Sequence, residues 1–327
     1  SLLAQWSARF EGPYGGADRG LCIAVDGAAN VYTAGTSSSS AASSDFITIK
    51  YSSSGLQQWV ARYHGSTAGR DAATKIAVDA NSNIYVTGMS MGANGRYDIV
   101  AIKYDSSGVQ QWALRYNGPG DGDDFPTSLR LDRTGSVYIC GVSKGADTNL
   151  DYVTIKYTST GSQQWTSRFN GLGNHEDWAE DLAVDLNGNV YVTGFSRSGS
   201  EWFSNDFLTI KYNSSGILQW TKKYNGPGNS TDRAYKIVTD STGNSIYVSG
   251  SSTGINTSLD LTTIKYNGAG DEQWVSRYDG SQHTSDGAVD MKLDMNSNLY
   301  ATGFCNLVDT LQKSDLVTIK YDGAGVK

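Results

Sequence analysis

The chain has 327 residues, a formal net charge of −7, 38 Gly, 20 Tyr and 4 Pro, which suits two ordinary domains or one repeat architecture. Lys and Arg are scattered rather than clustered, which argues against nucleic acid or an anionic membrane as the main partner. No apolar run is long enough to span a bilayer as a helix, and the opening SLLAQWSARF lacks the basic and apolar regions of a signal peptide.

In chain order, the first recognisable element is the pair Gln5-Trp6. The same pair returns with Trp59, Trp112, Trp165, Trp220 and Trp274, at steps of 53, 53, 53, 55 and 54. The tripeptide IKY also occurs six times, ending at Tyr51, Tyr104, Tyr157, Tyr212, Tyr266 and Tyr321. A third column holds Tyr32, Tyr85, Tyr138, Tyr191, Tyr247 and Tyr300. Such self-similarity at a fixed period marks a repeat fold. Each copy predicts four short strands. Strand A is typified by KIAVD (75–79), followed by a turn such as DANSN or DLNGN. Strand B resembles NIYVTGMS, and a variable loop leads to strand C, such as DIVAIKY. A short turn, DSSG, precedes strand D, such as QQWALRY, and a Gly-rich loop returns to the next strand A. Val, Ile, Tyr, Trp and Thr fill the strands, while Gly, Asn, Asp and Ser fill the turns.

Four antiparallel strands per copy, six times, predict an all-β fold: a six-bladed β-propeller forming one domain over residues 1–327. The chain opens within a strand D motif and ends at IKYDGAGVK, in the turn before another. The N-terminal strand is therefore expected to complete the last blade.

The pattern D-x-x-T-I-K-Y, then G-x-x-Q-W, then D-x-x-G-N-x-Y-V-T-G resembles the bacterial "seven-bladed β-propeller" (SBBP) repeat, across essentially the whole chain. The copy number here is six. The resemblance implies a propeller, often within exported or surface proteins, and carries no catalytic residues with it. An extracellular or cell-surface location and a monomer are expected on this reading.

In a propeller whose strand A is innermost, the D–A and B–C loops share one face. Those loops vary most among the copies (SMGANGRY against SRSGSEWFSN), so ligand contacts are expected there. Departures from the repeat sharpen this. Trp178 opens the fourth strand A, in the column that holds Arg19, Phe125 and Arg233, and Trp202-Phe203 lies in the fourth B–C loop. With Tyr235, these residues are the candidate ligand-binding set, because exposed rings and a guanidinium suit a sugar, an aromatic group or a peptide. The expected function is a non-enzymatic binding or scaffold module for a glycan or protein. One alternative is a hydrolase or lyase using His175, Glu176 and Glu180 as acid and base; another is a structural spacer, in which Trp178 and Trp202 would be buried.

The Asp that opens every strand A (Asp18, Asp71, Asp124, Asp177, Asp232, Asp286) is read as architectural, since all copies have it and a catalyst is needed once. The strand C Asp column from Asp45 and its presumed Lys partners from Lys50 are read likewise. Four residues before the turn Asp stand Cys22, Lys75, Ser128, Asp181, Lys236 and Asp290, read as a structural ring of charges. Neither a cofactor nor a metal is expected. Asp79-x-Asn81-x-Asn83 copies half a calcium loop but lacks its Glu, and DGDD (121–124) is the other calcium candidate. Cys22, Cys140 and Cys305 fit small core residues rather than a disulfide set.

Overall fold

The computed structural model describes residues 5–40, 43–67, 69–197, 199, 205–306 and 314–326. Strands account for its regular structure, and among the described residues no helix is long and apolar enough to cross a membrane. The first sheet holds β1 (Asp18–Val25), β2 (Val31–Ser38), β3 (Ser44–Tyr51) and β4 (Gln57–Tyr63). The second holds β5 (Asp71–Val78), β6 (Ile84–Met91), β7 (Tyr97–Tyr104) and β8 (Gln110–Tyr116). The third holds β9 (Asp124–Leu131), β10 (Val137–Lys144), β11 (Leu150–Tyr157) and β12 (Gln163–Phe169). The fourth holds β13 (Asp177–Val184), β14 (Val190–Arg197), β15 (Asn205–Tyr212) and β16 (Leu218–Tyr224). The fifth holds β17 (Asp232–Thr239), β18 (Ser245–Thr253), β19 (Leu259–Asn267) and β20 (Glu272–Tyr278). The sixth holds β21 (Asp286–Leu293), β22 (Leu299–Asn306) and β23 (Ser314–Tyr321).

These are the four strands expected of each copy, in the expected order, except in the sixth sheet. There the strand count is three, and residues 5–17 form no strand. The expectation that the N-terminal segment completes the last blade is corrected to that extent. Trp6 nonetheless makes the contact that the other strand D Trp residues make with the next copy: it packs on Tyr51 with ring centroids 6.0 Å apart and donates to the Ser53 carbonyl, while Arg9 lies 3.5 Å from Glu11.

Residues 1–147 with 155–164 form one compact unit, and 148–154 with 165–327 a second. Within each, the first strand of one sheet packs over the inner strands of the sheet before it. In the first unit this core contains Tyr32, Phe46, Ala73, Val86, Ile102 and Tyr104. In the second unit Phe207, Ile237, Val248 and Ile264 form one cluster, and Leu261, Met291, Leu299 and Tyr321 another. A lone four-stranded sheet cannot cover both of its faces, so the aliphatic and aromatic columns of the repeat are spent on sheet-to-sheet contact.

The repeated Trp explains the period. Trp59, Trp112, Trp165, Trp220 and Trp274 each donate their indole N–H to a carbonyl in the next copy's C–D turn, at 3.1–3.3 Å. The glycine of that turn has φ near +85° (Gly55 83°, Gly108 85°, Gly161 88°) and lies flat against the ring, so no side chain fits. The IKY lysines sit over the strand B tyrosines (Lys50 5.4 Å from the Tyr32 centroid, Lys103 5.2 Å from Tyr85, Lys265 5.4 Å from Tyr247). They are not the partners of the strand C Asp residues, a second correction. Asp45 and Lys50 are five apart in one strand and so face opposite sides. The carboxylates pair instead with strand D: Asp98 with Arg115 at 2.6 Å, Asp151 with Arg168 at 2.9 Å, Asp206 with Lys223 at 2.5 Å and Asp260 with Arg277 at 2.7 Å.

Candidate functional site

The start of every strand A is built alike. The opening Asp accepts a backbone N–H from the preceding Gly: Gly12 to Asp18, Gly65 to Asp71, Gly118 to Asp124, Gly171 to Asp177, Gly226 to Asp232 and Gly280 to Asp286, at 2.5–2.7 Å. This is the architectural role expected of that column. Burial raises the Asp124, Asp177 and Asp232 carboxyls above the ordinary range, despite these bonds. Asp18 moves the other way, held down by Ser37 and the Gly12 N–H.

Three residues after the Asp, each strand A carries a β-bulge that places one residue out of register: Leu21, Thr74, Thr127, Glu180, Tyr235 and Val289. Bulges re-aim side chains and recur beside functional sites. Glu180 and Tyr235, the bulge residues of adjacent sheets in the second unit, lie near enough for the Glu180 charge to act on the phenol. Burial raises the Tyr235 phenol, Arg233 opposes that rise, and the Glu180 charge adds to it.

The second unit therefore gathers Trp178, Arg233, Tyr235 and Glu180 in one place. The connecting residue is Phe195, which was not among the sequence candidates. It lies opposite Trp178 across the β13–β14 pair, its ring parallel to the indole within 4° at a centroid distance of 6.5 Å. The Arg233 guanidinium sits 4.7 Å from the centre of the same ring. Phe195 is buried, while Trp178, Arg233 and Tyr235 remain partly exposed. The Arg233 Nε is shielded from solvent and has no hydrogen-bond partner among the described residues. The cluster is thus a ring floor carrying an indole, a guanidinium, a phenol and a carboxylate. The sequence signal for Phe195 was an aromatic facing Trp178, in a column that holds Thr36, Met89, Val142, Ser251 and a second Phe, Phe304, elsewhere.

The other candidates fall differently. Phe125 belongs to the first unit and packs on Tyr97 at 5.9 Å. Arg19 is also in the first unit, at the mouth of a serine-lined pocket. Trp202 and Phe203 lie outside the described residues. His175 and Glu176 are half-buried, and among the described residues no hydrogen bond joins either side chain to Glu180 or to the other. In the ring of charges, Lys236 lies 4.0 Å from Asp181.

The calcium-like sequences act as turns. Asp79 Oδ1 accepts the Asn81 and Asn83 amides, both at 2.9 Å, and Asp185 and Asp294 repeat this. In DGDD, Asp121 accepts from Asn94 and Asn117, and Asp123 from the Tyr97 amide. One group among the described residues has metal-ligand spacing: Asp45, His64 and Asp71. His64 Nδ1 lies 2.9 Å from Asp45, but the Arg62 guanidinium is 3.4 Å from the same carboxylate, so a cation is already present there. Burial pushes the Cys22 and Cys305 thiols up to about 11, which keeps both protonated and unreactive at neutral pH. A cleft of about 590 Å³ opens at the A–B turns of the second and third sheets, beside Asp79, Lys103, Arg133 and Gly135. In the second unit the corresponding turns are tied together by Leu186 N–H to the Ser241 carbonyl and by Tyr191 OH to that of Gly243.

The family described as Beta-propeller repeat (SBBP) matches residues 58–96, 164–198 and 219–256. The regulatory protein FlaEY of Caulobacter vibrioides is 27% identical over 161 residues, 44% of this chain and 16% of that protein. Among solved structures, the β-propeller domain of the Trilobed protease from Pyrococcus furiosus superposes with a TM-score of 0.53 at 10% identity, covering 93% of this chain and 84% of that one. An ulvan lyase reaches 0.53 at 11%, covering 92% and 80%. An α-L-arabinofuranosidase of Fusarium graminearum reaches 0.51 at 10%, covering 91% and 92%. At such identities the likeness speaks to the fold alone. The fold is a β-propeller, and the segments at 58–96, 164–198 and 219–256 are repeats of the SBBP type.

Proposed function

We propose that the chain is a ligand-binding module of an exported bacterial protein, a single propeller domain with the six sheets as its blades, and that its ligand is a glycan held at the Trp178 cluster. The observation that carries this reading is the partly exposed indole fixed parallel to the buried Phe195 ring, with the Arg233 guanidinium on the same ring. A sugar's C–H face stacks on such an indole, while Arg233, Tyr235 and Glu180 offer donors and acceptors to its hydroxyls. The rigid strand starts hold these groups in place before ligand arrives, which limits the entropy cost of binding. FlaEY, named a regulatory protein, is compatible with a non-catalytic role. A hydrolase or lyase reading would need His175 or Glu176 to close on Glu180 when substrate enters.

A glycan array probed with the wild-type chain should yield a defined set of saccharides. Against those hits Trp178→Ala should weaken binding about tenfold or more, and Phe195→Leu should weaken it less, by loosening the indole. Undiminished binding by Trp178→Ala, with the fold intact by circular dichroism, would remove the cluster from the site.

A further inference from the structure

In the first unit, a pocket of about 300 Å³ is walled by Arg19, Arg70, Thr36, Ser38, Ser40, Ser43 and Ser44 with Ala17. It takes one arginine from the start of β1 and one from the residue before β5. The two columns concerned hold Ala72, Phe125, Trp178, Arg233 and Gly287, and Ala17, Asp123, Glu176, Thr231 and Ser285, in the other copies, so this pairing of arginines occurs once. Neither guanidinium has a hydrogen bond or ion pair among the described residues. The two acids next to them in sequence are spent elsewhere: Asp18 accepts from Gly12 N–H and Ser37 Oγ, and Asp71 from Gly65 and Met91 N–H. Among the described residues the pocket wall contains no carboxylate.

The hydroxyls are polarised by their own bonds. Thr36 and Ser44 donate to the Asp71 carbonyl at 3.1 and 3.2 Å, and Ser38 donates to the Ala17 carbonyl at 3.1 Å. Ser40 and Ser43 share one proton at 2.6 Å. The Thr36, Ser38 and Ser44 protons are thus committed to the protein, and those three oxygens keep lone pairs for a guest, while Ser40 Oγ already accepts the Ser43 N–H. The pocket supplies donors through the arginines and acceptors through the serines and Thr36. An anion alone would use only the first set. A neutral sugar would leave two guanidinium groups without counter-charge.

We propose that this pocket binds a saccharide through an attached anionic group, with Arg19 and Arg70 holding the charge and the Thr36, Ser38 and Ser44 oxygens accepting from sugar hydroxyls. Carboxylate, sulfate and phosphate share the oxygen geometry that two guanidinium forks recognise. The site does not depend on the Trp178 cluster, and either can fail alone.

Titration calorimetry of the full chain tests this with glucuronate, glucose 6-sulfate and glucose 6-phosphate, against glucose and inorganic sulfate. At least one acidic sugar should bind saturably, and the strongest of the three identifies the anionic group. Glucose should give no heat, and inorganic sulfate should bind about tenfold more weakly than the best sugar. Arg19→Ala and Arg70→Ala should each weaken that sugar about tenfold or more, raised salt should weaken it further, and Trp178→Ala should leave it unchanged. Both arginines are exposed, so these variants should keep the wild-type circular dichroism and melting temperature. Sulfate binding as tightly as the best sugar, or acidic-sugar binding that survives both arginine variants, would overturn the proposal.

Discussion

A methyl group on Gly194 would lie 1.9 Å from the Trp178 carbonyl oxygen and 2.8 Å from the Tyr152 hydroxyl. The bulge at Glu180 brings that carbonyl across strand B, and backbone cannot withdraw as a flexible side chain could. The same collision awaits Gly35, Gly88, Gly141, Gly250 and Gly303, each 1.8–2.0 Å from a carbonyl oxygen, which is why "TG" or its like closes every strand B motif. Gly194→Ala should therefore lower unfolding free energy by about 3 kcal/mol, measured by urea titration. It should also disturb Trp178, whose carbonyl must move, and shift that indole's emission. Gly20 provides the control, since nothing lies within 4 Å of its would-be methyl. Gly20→Ala should stay within about 1 kcal/mol of wild type. A small cost at Gly194 would mean that the bulge relaxes freely and does not fix the cluster.

The A–B turn shows one carboxylate organising an element. Asp26 accepts the Ala28 and Asn30 amides and the Asn30 side chain, at 2.8–2.9 Å. It also accepts the Tyr32 hydroxyl at 2.8 Å and Ser82 Oγ, from the next sheet's turn, at 3.2 Å. Asp26→Ala would orphan the buried Tyr32 hydroxyl and free two turns together, for an expected loss of about 2–3 kcal/mol by chemical denaturation. Asp105→Ala, in an exposed C–D turn, should cost less. A loss no larger at Asp26 than at Asp105 would deny the link between sheets. Elements of this kind were legible in the sequence because turn chemistry and period-2 alternation are local. Asp, Asn and Gly at fixed offsets from the Tyr column mark the hairpin without reference to the rest of the chain. The bulges were not legible, because Glu180 and Tyr235 look like ordinary strand positions and only cross-strand register shows that they are extra. Phe195 was passed over for a related reason: a ring in a column shared with Met89, Val142 and Phe304 reads as core until its partner across the strand is known. The Asp45–Lys50 pairing went wrong through neglect of strand parity, which puts Arg62, opposite Ile47, on the face of Asp45.

Across the whole molecule the titratable groups form sets that push stability in opposite directions as pH changes. Burial works against the Asp26, Asp132, Asp240 and Asp294 carboxylates, yet turn hydrogen bonds hold all four below the ordinary carboxylate range. Their stabilisation is present above the unfolded value of about 3.9 and is lost as pH falls towards their folded values. Asp124, Asp177 and Asp232 are raised by burial, so their ionised forms weigh against the fold at neutral pH. That burden is relieved as pH falls through their folded values towards about 4. His64 acts in the same sense, since its bond to Asp45 raises it. Its contribution is complete below the unfolded value of about 6.5 and is lost as pH rises through the folded value. The melting temperature should therefore peak on the acid side of neutrality, between about pH 4 and 6, and fall on either side. Scanning calorimetry from pH 3 to 8 checks this. Asp177→Asn, which keeps an acceptor for Gly171 but cannot ionise, should flatten the alkaline limb, as should His64→Asn. Asp26→Asn should lower the whole curve and soften its acid limb. A melting temperature that climbs steadily to pH 8 would show that the buried strand-opening carboxylates carry no penalty, so that every repeat tolerates its charge through the backbone bonds alone.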